Sequence, residues 1–131
     1  MIESFTLQSL GKEDLIDITD TVNTIVTRSQ VTDGICCIYT PHTTAAITIN
    51  ENADPSVRRD ILKGLSHLKF EQVSFSHAEG NSPAHCKSSL IGCSEMVFID
   101  GGRLNLGTWQ GIYFCEFDGP RTRKVLVKII G

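Results

Sequence analysis

A chain of 131 residues, 40% hydrophobic and 21% charged, is sized for one domain with an ordinary apolar core, and its 11 glycines and 4 prolines exclude collagenous and low-complexity architectures. Twelve basic against fifteen acidic residues give a net charge of −3, which argues against wholesale binding to nucleic acid or an anionic membrane and leaves room for a small basic site. No apolar run approaches the roughly 18 residues that cross a bilayer, and Met1-Ile2-Glu3-Ser4 lacks the regions of a secretory leader, so a cytoplasmic protein is expected.

Ile2 to Leu10 alternates loosely and predicts a strand ended by Gly11. Ile18, Val22, Ile25 and Val26 recur at helical spacing after a cap at Thr19 or Asp20, and this helix closes before Asp33-Gly34. Gly34 to Tyr39 and Ala45 to Ile49 read as strands, the first apolar on both faces and therefore central. Asp54-Pro55 supplies a cap and a first-turn proline for a helix carrying Val57, Ile61, Leu65 and Leu68. Ser82-Pro83 repeats that start for a shorter helix ending at Gly92. Strands follow at Met96 to Ile99, Ile112 to Phe117 and Val125 to Ile130. Helices and strands mix without βαβ alternation, which predicts one compact α+β domain over residues 1–131, with mixed or antiparallel sheet layers and two to three helices. The five cysteines form no CxxC pair and read as reduced, mostly buried thiols.

Three of the four histidines sit among polar residues at element ends. His42 lies in Thr40-Pro41-His42-Thr43-Thr44, and His77 and His85 bracket a Gly-Asn-Ser-Pro turn that can fold them together as ligands, although a solvated role suits any one alone. With Ser82 as cap, His85 falls in the first helical turn, where the dipole favours the neutral ring and exposed amides favour an anion. His67 ends a helix and has a structural explanation there. Glu51 after a strand suits a general base, a metal ligand or a solvated carboxylate. Gly101-Gly102-Arg103 and Gly119-Pro120-Arg121-Thr122-Arg123 place guanidinium groups beside glycine turns, which suits phosphate. Trp109, framed by Gly107 and Gly111, is either a core residue or a platform for a planar ring whose polar edge Gln110 reads.

Four stretches together resemble the YjbQ family: Pro41 to Ala46 running into Ile49 to Pro55; His77 with Glu79 to His85; Gly101 to Gly111; and Glu116 to Arg123. The resemblance implies an α+β homotrimer with polar residues clustered near subunit boundaries. It also implies a thiamine-phosphate synthase activity, main or secondary, joining a hydroxymethylpyrimidine diphosphate to a thiazole phosphate with loss of pyrophosphate. The matching polar positions are His42, Glu51, His77, Asn81, His85, Trp109, Gln110 and Arg121. Catalysis would fall to Glu51 and the histidines, and substrate binding to Asn81, Trp109, Gln110 and Arg121. His42, His77 and His85 would hold a divalent metal, zinc or magnesium, with open positions. Two other classes fit the same residues: a non-catalytic trimer that binds or senses a phosphorylated metabolite, and a structural metal site. The latter is disfavoured because the cysteines do not group with the histidines.

Overall fold

The computed structural model describes residues 1–131 and arranges them in chain order as β1 (Ile2–Gln8), β2 (Asp14–Asp17), α1 (Thr19–Ser29), β3 (Asp33–Tyr39), β4 (Ala45–Glu51), α2 (Pro55–Ser66), a 3₁₀ turn (Phe70–Gln72), α3 (Ser82–Ile91), β5 (Ser94–Asp100), β6 (Arg103–Leu104), β7 (Gln110–Glu116) and β8 (Thr122–Ile130). A five-stranded sheet runs β1-β8-β3-β5-β6 and a three-stranded sheet runs β2-β7-β4. Every pairing is antiparallel, which settles the mixed-or-antiparallel expectation. The domain is α+β, with three α-helices.

Period-two alternation decides what each sheet buries. Cys36, Ile38, Val97, Ile99, Val125 and Val127 project from the large sheet, meet Ala45, Ile47, Ile112 and Phe114 of the small one, and are plugged by Ile18, Val22, Ile25 and Val26 of α1. The small sheet is apolar on its other face too: Ala46, Tyr113 and Cys115 pack there with Leu15, Ala84 and Phe117 under Ile61, Leu62 and Leu65 of α2. The layers are therefore large sheet, small sheet, helices. β3 is central, between β8 and β5, as its apolar run predicts. Its outer face is bare in the single chain. Phe98 and Met96 are 60% and 55% exposed there, beside Ile35, Cys37, Tyr39 and Ile130.

Several boundaries differ from the sequence reading for local reasons. The first helix begins at Thr19 and is started not by Thr19 or Asp20 but by Asp17, two residues earlier, whose carboxylate accepts from both N–H and hydroxyl of Thr19. Asp54 caps α2 as expected, accepting from Ser56 N–H at 2.9 Å. The cap position of α3 is Asn81 rather than Ser82. Strand β2 has only Leu15 and Ile16 as apolar signal, too short for a period to register. Gly101 and Gly102, both at positive φ, make the two-residue turn that pairs Asp100 with Arg103. Only Cys36 and Cys115 are buried, with thiol pKa values pushed up by burial to about 11 and about 12; Cys37 and Cys86 are half-buried and Cys93 is exposed, which corrects the expectation of mostly buried thiols. No helix is long and apolar enough to cross a membrane.

The buried Glu116 carboxylate is the polar centre of the fold. Arg123 Nε donates to it at 2.8 Å and Ser9 Oγ at 2.6 Å, while Arg123 also donates to Thr44 Oγ1 at 2.9 Å. Burial alone would raise the Glu116 pKa, but the bonds from Arg123 and Ser9 outweigh it and hold the carboxyl below its ordinary range. A lowered folded-state pKa contributes stability that is full above the unfolded pKa and is lost as pH falls through the folded value. Glu116→Gln, which strands a buried guanidinium, should destabilise the protein by about 3–5 kcal/mol in urea at neutral pH. The variant should also lack the part of the wild-type acid destabilisation that Glu116 supplies, an outcome read from the same titration repeated in the acid range.

Candidate functional site

One end of the small sheet gathers the histidines. His42 precedes β4, Arg121 and Arg123 flank the start of β8, and the turn into α3 brings His77, Asn81 and His85 over the same point; together they line a cavity of about 340 Å3. His77 and His85 meet edge to face, with ring centroids 5.5 Å apart and planes at 83°. Glu79 stands 4.0 Å from His77 Nε2. The sequence turn at Gly80-Asn81-Ser82-Pro83 does what its composition allows, with Gly80 at positive φ.

Arg121 is held rather than loose. Its Nε donates to the Asp118 carbonyl at 2.8 Å and a terminal nitrogen to the Asp118 carboxylate at 2.9 Å, while Asn81 Nδ2 donates to the same carboxylate at 2.8 Å. Burial opposes ionisation of Asp118, yet these bonds win and its pKa lies below the ordinary value. Gly119 makes this turn possible, since an added β-carbon would collide with the Gly11 carbonyl. With Arg123 committed to Glu116 and Thr44, Arg121 is the guanidinium that retains free donors toward the cavity.

His42 is half-buried and its pKa is lowered, first by burial and then by the charge of Arg123, with Arg121 adding to it. Lys124 N–H donates to His42 Nε2 at 2.9 Å. The neutral ring therefore carries its proton on Nδ1, as a donor. That arrangement uses the Nε2 lone pair, and no group of three or more His, Cys, Asp or Glu side chains is placed to hold a metal ion. The start of α3 also offers an anion less than its sequence promises. Pro83 has no N–H, and the N–H groups of Ala84 and His85 both donate to the Asn81 carbonyl.

The remaining expected site residues lie elsewhere. Ala45 pairs with Glu116 at the histidine end of the β4–β7 ladder, and Glu51 pairs with Gln110 at the other. At the usual rise per residue this separates Glu51, Trp109 and Gln110 from the histidines by about 20 Å. Trp109 is 62% exposed and so is no core residue. Gln110 Oε1 accepts from Gly107 N–H at 2.8 Å, closing its own turn. His67 bonds the Lys63 carbonyl at the end of α2, the structural role expected of it. Arg103 sits exposed on the β5–β6 hairpin. Sequence reasoning passed over Thr43 and Glu79, which line the cavity; both lie inside the quoted motifs, and Glu79 is two residues from His77.

Fold and motif together define a YjbQ-like α+β domain. The YjbQ family model, described as UPF0047 protein YjbQ-like, matches residues 3–131, and the chain belongs to that family. It is 55% identical over 131 residues to a UPF0047 protein of Methanocaldococcus jannaschii, covering 100% of this chain and 95% of that one. It is 48% identical to YugU of Bacillus subtilis, with both chains fully covered. Among solved structures, a YjbQ/UPF0047 family protein of Clostridium acetobutylicum superposes with a TM-score of 0.95 at 53% identity, over 98% of this chain and 99% of that one. A YbjQ-like protein of Sulfolobus solfataricus gives 0.95 at 34% identity, over 100% and 96%.

The ionisation of His42 is open to measurement. In an NMR titration its midpoint should fall below 6.5 with the proton on Nδ1, and Arg121→Gln should raise the midpoint by removing a neighbouring positive charge. A midpoint above 6.5 in the wild type would contradict the burial and charge argument.

Proposed function

We propose that the histidine–arginine cavity holds the phosphate of a small phosphorylated heterocycle, and that the protein is a transferase of the thiamine-phosphate synthase kind. The supporting observation is the convergence of His42, His77, His85 and Arg121 on one cavity that no hydrophobic residue lines. In the joining reaction the C–O bond between the pyrimidine methylene and the diphosphate breaks, and the electron pair leaves with pyrophosphate. The thiazole nitrogen lone pair then forms the new C–N bond. The demand on the protein is to meet negative charge on the leaving group. Arg121, pre-set by Asp118, and the Nδ1–H of His42 are the donors suited to it. The expected divalent metal, zinc or magnesium, would be held by His42, His77 and His85, with His42 Nε2 exchanging the Lys124 N–H bond for the metal, and would supply further positive charge in the cavity.

Glu51, the expected base, has no place in this step within one chain, and the reaction as written removes no proton through a carboxylate. Its distance from the cavity favours a second reading, a non-catalytic binder or sensor of the same phosphorylated ligand. Turnover separates the two. With hydroxymethylpyrimidine diphosphate and thiazole phosphate as substrates, Arg121→Ala should lower turnover by about 10²–10³, and it should weaken phosphorylated ligands far more than their unphosphorylated counterparts. Ligand binding without product in the wild type would move the function to the binder; equal weakening of both ligand types would assign Arg121 to folding.

We also propose that the protein is a homotrimer joined through the bare face of the large sheet, where Met96, Phe98 and Ile130 are each more than half exposed. Association is one way that Glu51, Trp109 and Gln110 of one subunit can approach the histidines of another. Sedimentation equilibrium should give a trimer for the wild type and a smaller species for Phe98→Glu. A monomeric wild type across micromolar to millimolar concentration would reject the assembly.

A further inference from the structure

Glu71 to Gly80 carries His77 and Glu79 to the cavity, yet almost nothing between its ends ties it to the domain. From Ser74 to Gly80 the backbone makes one hydrogen bond, Gly80 N–H to the His77 carbonyl at 3.2 Å, and that bond is internal to the segment. All ten residues are exposed, so apolar burial does not hold them either. The two ends, by contrast, are fixed by polar groups. The Lys87 ammonium donates to Glu71 at 3.1 Å, and just past the other end Asn81 Nδ2 donates to the Asp118 carboxylate at 2.8 Å. The backbone is left-handed at both limits, with φ of 61° at Lys69 and 75° at Gly80, where an added β-carbon would meet nothing within 4 Å. Space lies on either side. The histidine cavity is on one, and on the other is a second cavity of about 340 Å3 walled by Glu71, Glu79 and Gly80 and by Pro83, Lys87 and Phe117. The segment continues the 3₁₀ turn that packs on α3, on the helix side of the small sheet, and so stands apart from the bare outer face of the large one.

We propose that residues 71–80 are a strap, hinged around Lys69 and Gly80 and latched by Glu71 to Lys87, that closes His77 over an anion in the cavity and opens to release it. Hinges at element ends and a bond-free span between them let the strap lift without disturbing the core. Lys87 and Glu71 are then positioning residues, which act through His77. The far end of the strap is coupled to the site as well, because one Asp118 oxygen accepts from both Asn81 and Arg121. A strap seated at Asn81 and an Arg121 set toward the cavity therefore go together. The identity of the anion rests on the phosphate reading above, whereas the latch rests on the anchoring of the strap itself.

Chymotrypsin tests the motion in the full chain. Phe75 is the only Phe, Tyr or Trp between residues 71 and 80, and cleavage after it, identified by peptide mass, follows the fraction of strap that is lifted. Glu71→Ala should speed this cut by about five- to tenfold, the worth of one charge-assisted bond to a half-exposed carboxylate. Glu13→Ala takes the other partner from Lys87 but none from the strap, and should leave the rate near that of the wild type. Inorganic phosphate at ten times its dissociation constant, set by calorimetry, should slow the wild-type cut by about tenfold, since the closed strap completes the site. Arg121→Ala should abolish that protection. Equal rates in the wild type and Glu71→Ala, or equal acceleration by Glu71→Ala and Glu13→Ala, would overturn the latch. Phosphate that binds with heat yet gives Phe75 no protection would overturn closure over the anion and leave the phosphate reading standing. No binding heat in the wild type would overturn that reading and the closure together.

Discussion

The Glu116–Arg123 pair is the joint on which the domain turns. Glu116 ends β7 in the small sheet, and Arg123 stands in β8 of the large one. Ser9 after β1 bonds Glu116 and Thr44 before β4 bonds Arg123, so four chain segments from both layers converge on one ion pair. Desolvating two ions costs several kcal/mol each, and the attraction offsets this only when the remaining polar atoms are satisfied. Here they are. Ser9 Oγ also accepts from Arg121 N–H at 2.8 Å, and Glu116 accepts from Asp118 N–H at 3.1 Å. The bonds that close the two sheets therefore also set the turn carrying Arg121.

That coupling explains why the cavity lies where it does. The small sheet is apolar on both faces, so its ladder leaves no lateral surface for polar side chains, and polar groups are displaced to its ends. Antiparallel pairing of β4 with β7 then sends the chain's two polar groups of residues to opposite ends: His42 with Arg121 at one, Glu51 with Gln110 and Trp109 at the other. A single antiparallel ladder cannot bring both to one point within one chain.

The elements most legible in the sequence are those with a long period or a chemical stop. The α2 helix follows from Asp54-Pro55 and its apolar spacing, and β3 is marked as central by six residues without a charge, Gly34 to Tyr39. Short elements such as β2 and β6 carry too few side chains to reveal a period. The meeting of His77 and His85 was legible through turn chemistry, because the Gly80 to Pro83 segment allows the chain to fold back on itself, whereas His42 was joined to them by the family resemblance. That Trp109 and Glu51 lie at the far end of the small sheet from that cluster within one chain was not legible, since adjacency across a sheet depends on register, which no local pattern contains. Likewise, the use of the His42 Nε2 lone pair by Lys124 N–H links residues far apart in sequence and is invisible until β8 is in place.

The segment carrying His77 is held by a different kind of force from the rest of the fold. Residues 71–80 are all exposed, so apolar burial does little to fix them. Their anchor is Lys87 on α3, whose side chain is only 2% exposed and whose ammonium bonds Glu71 at 3.1 Å and Glu13 at 2.8 Å. Burial would lower the Lys87 pKa, but the two carboxylates outweigh it and keep the ammonium charged, while Glu71, helped by a backbone hydrogen bond and by Lys87, ionises more readily than an ordinary glutamate. Removing either charge leaves a buried ammonium short of a partner rather than opening a cavity in the core. The position of His77 relative to His85 thus depends on an ion cluster beside the site, whereas His85 and His42 are placed by a helix and a strand that the apolar core holds. One wall of the cavity is therefore fixed by packing and the other chiefly by charge.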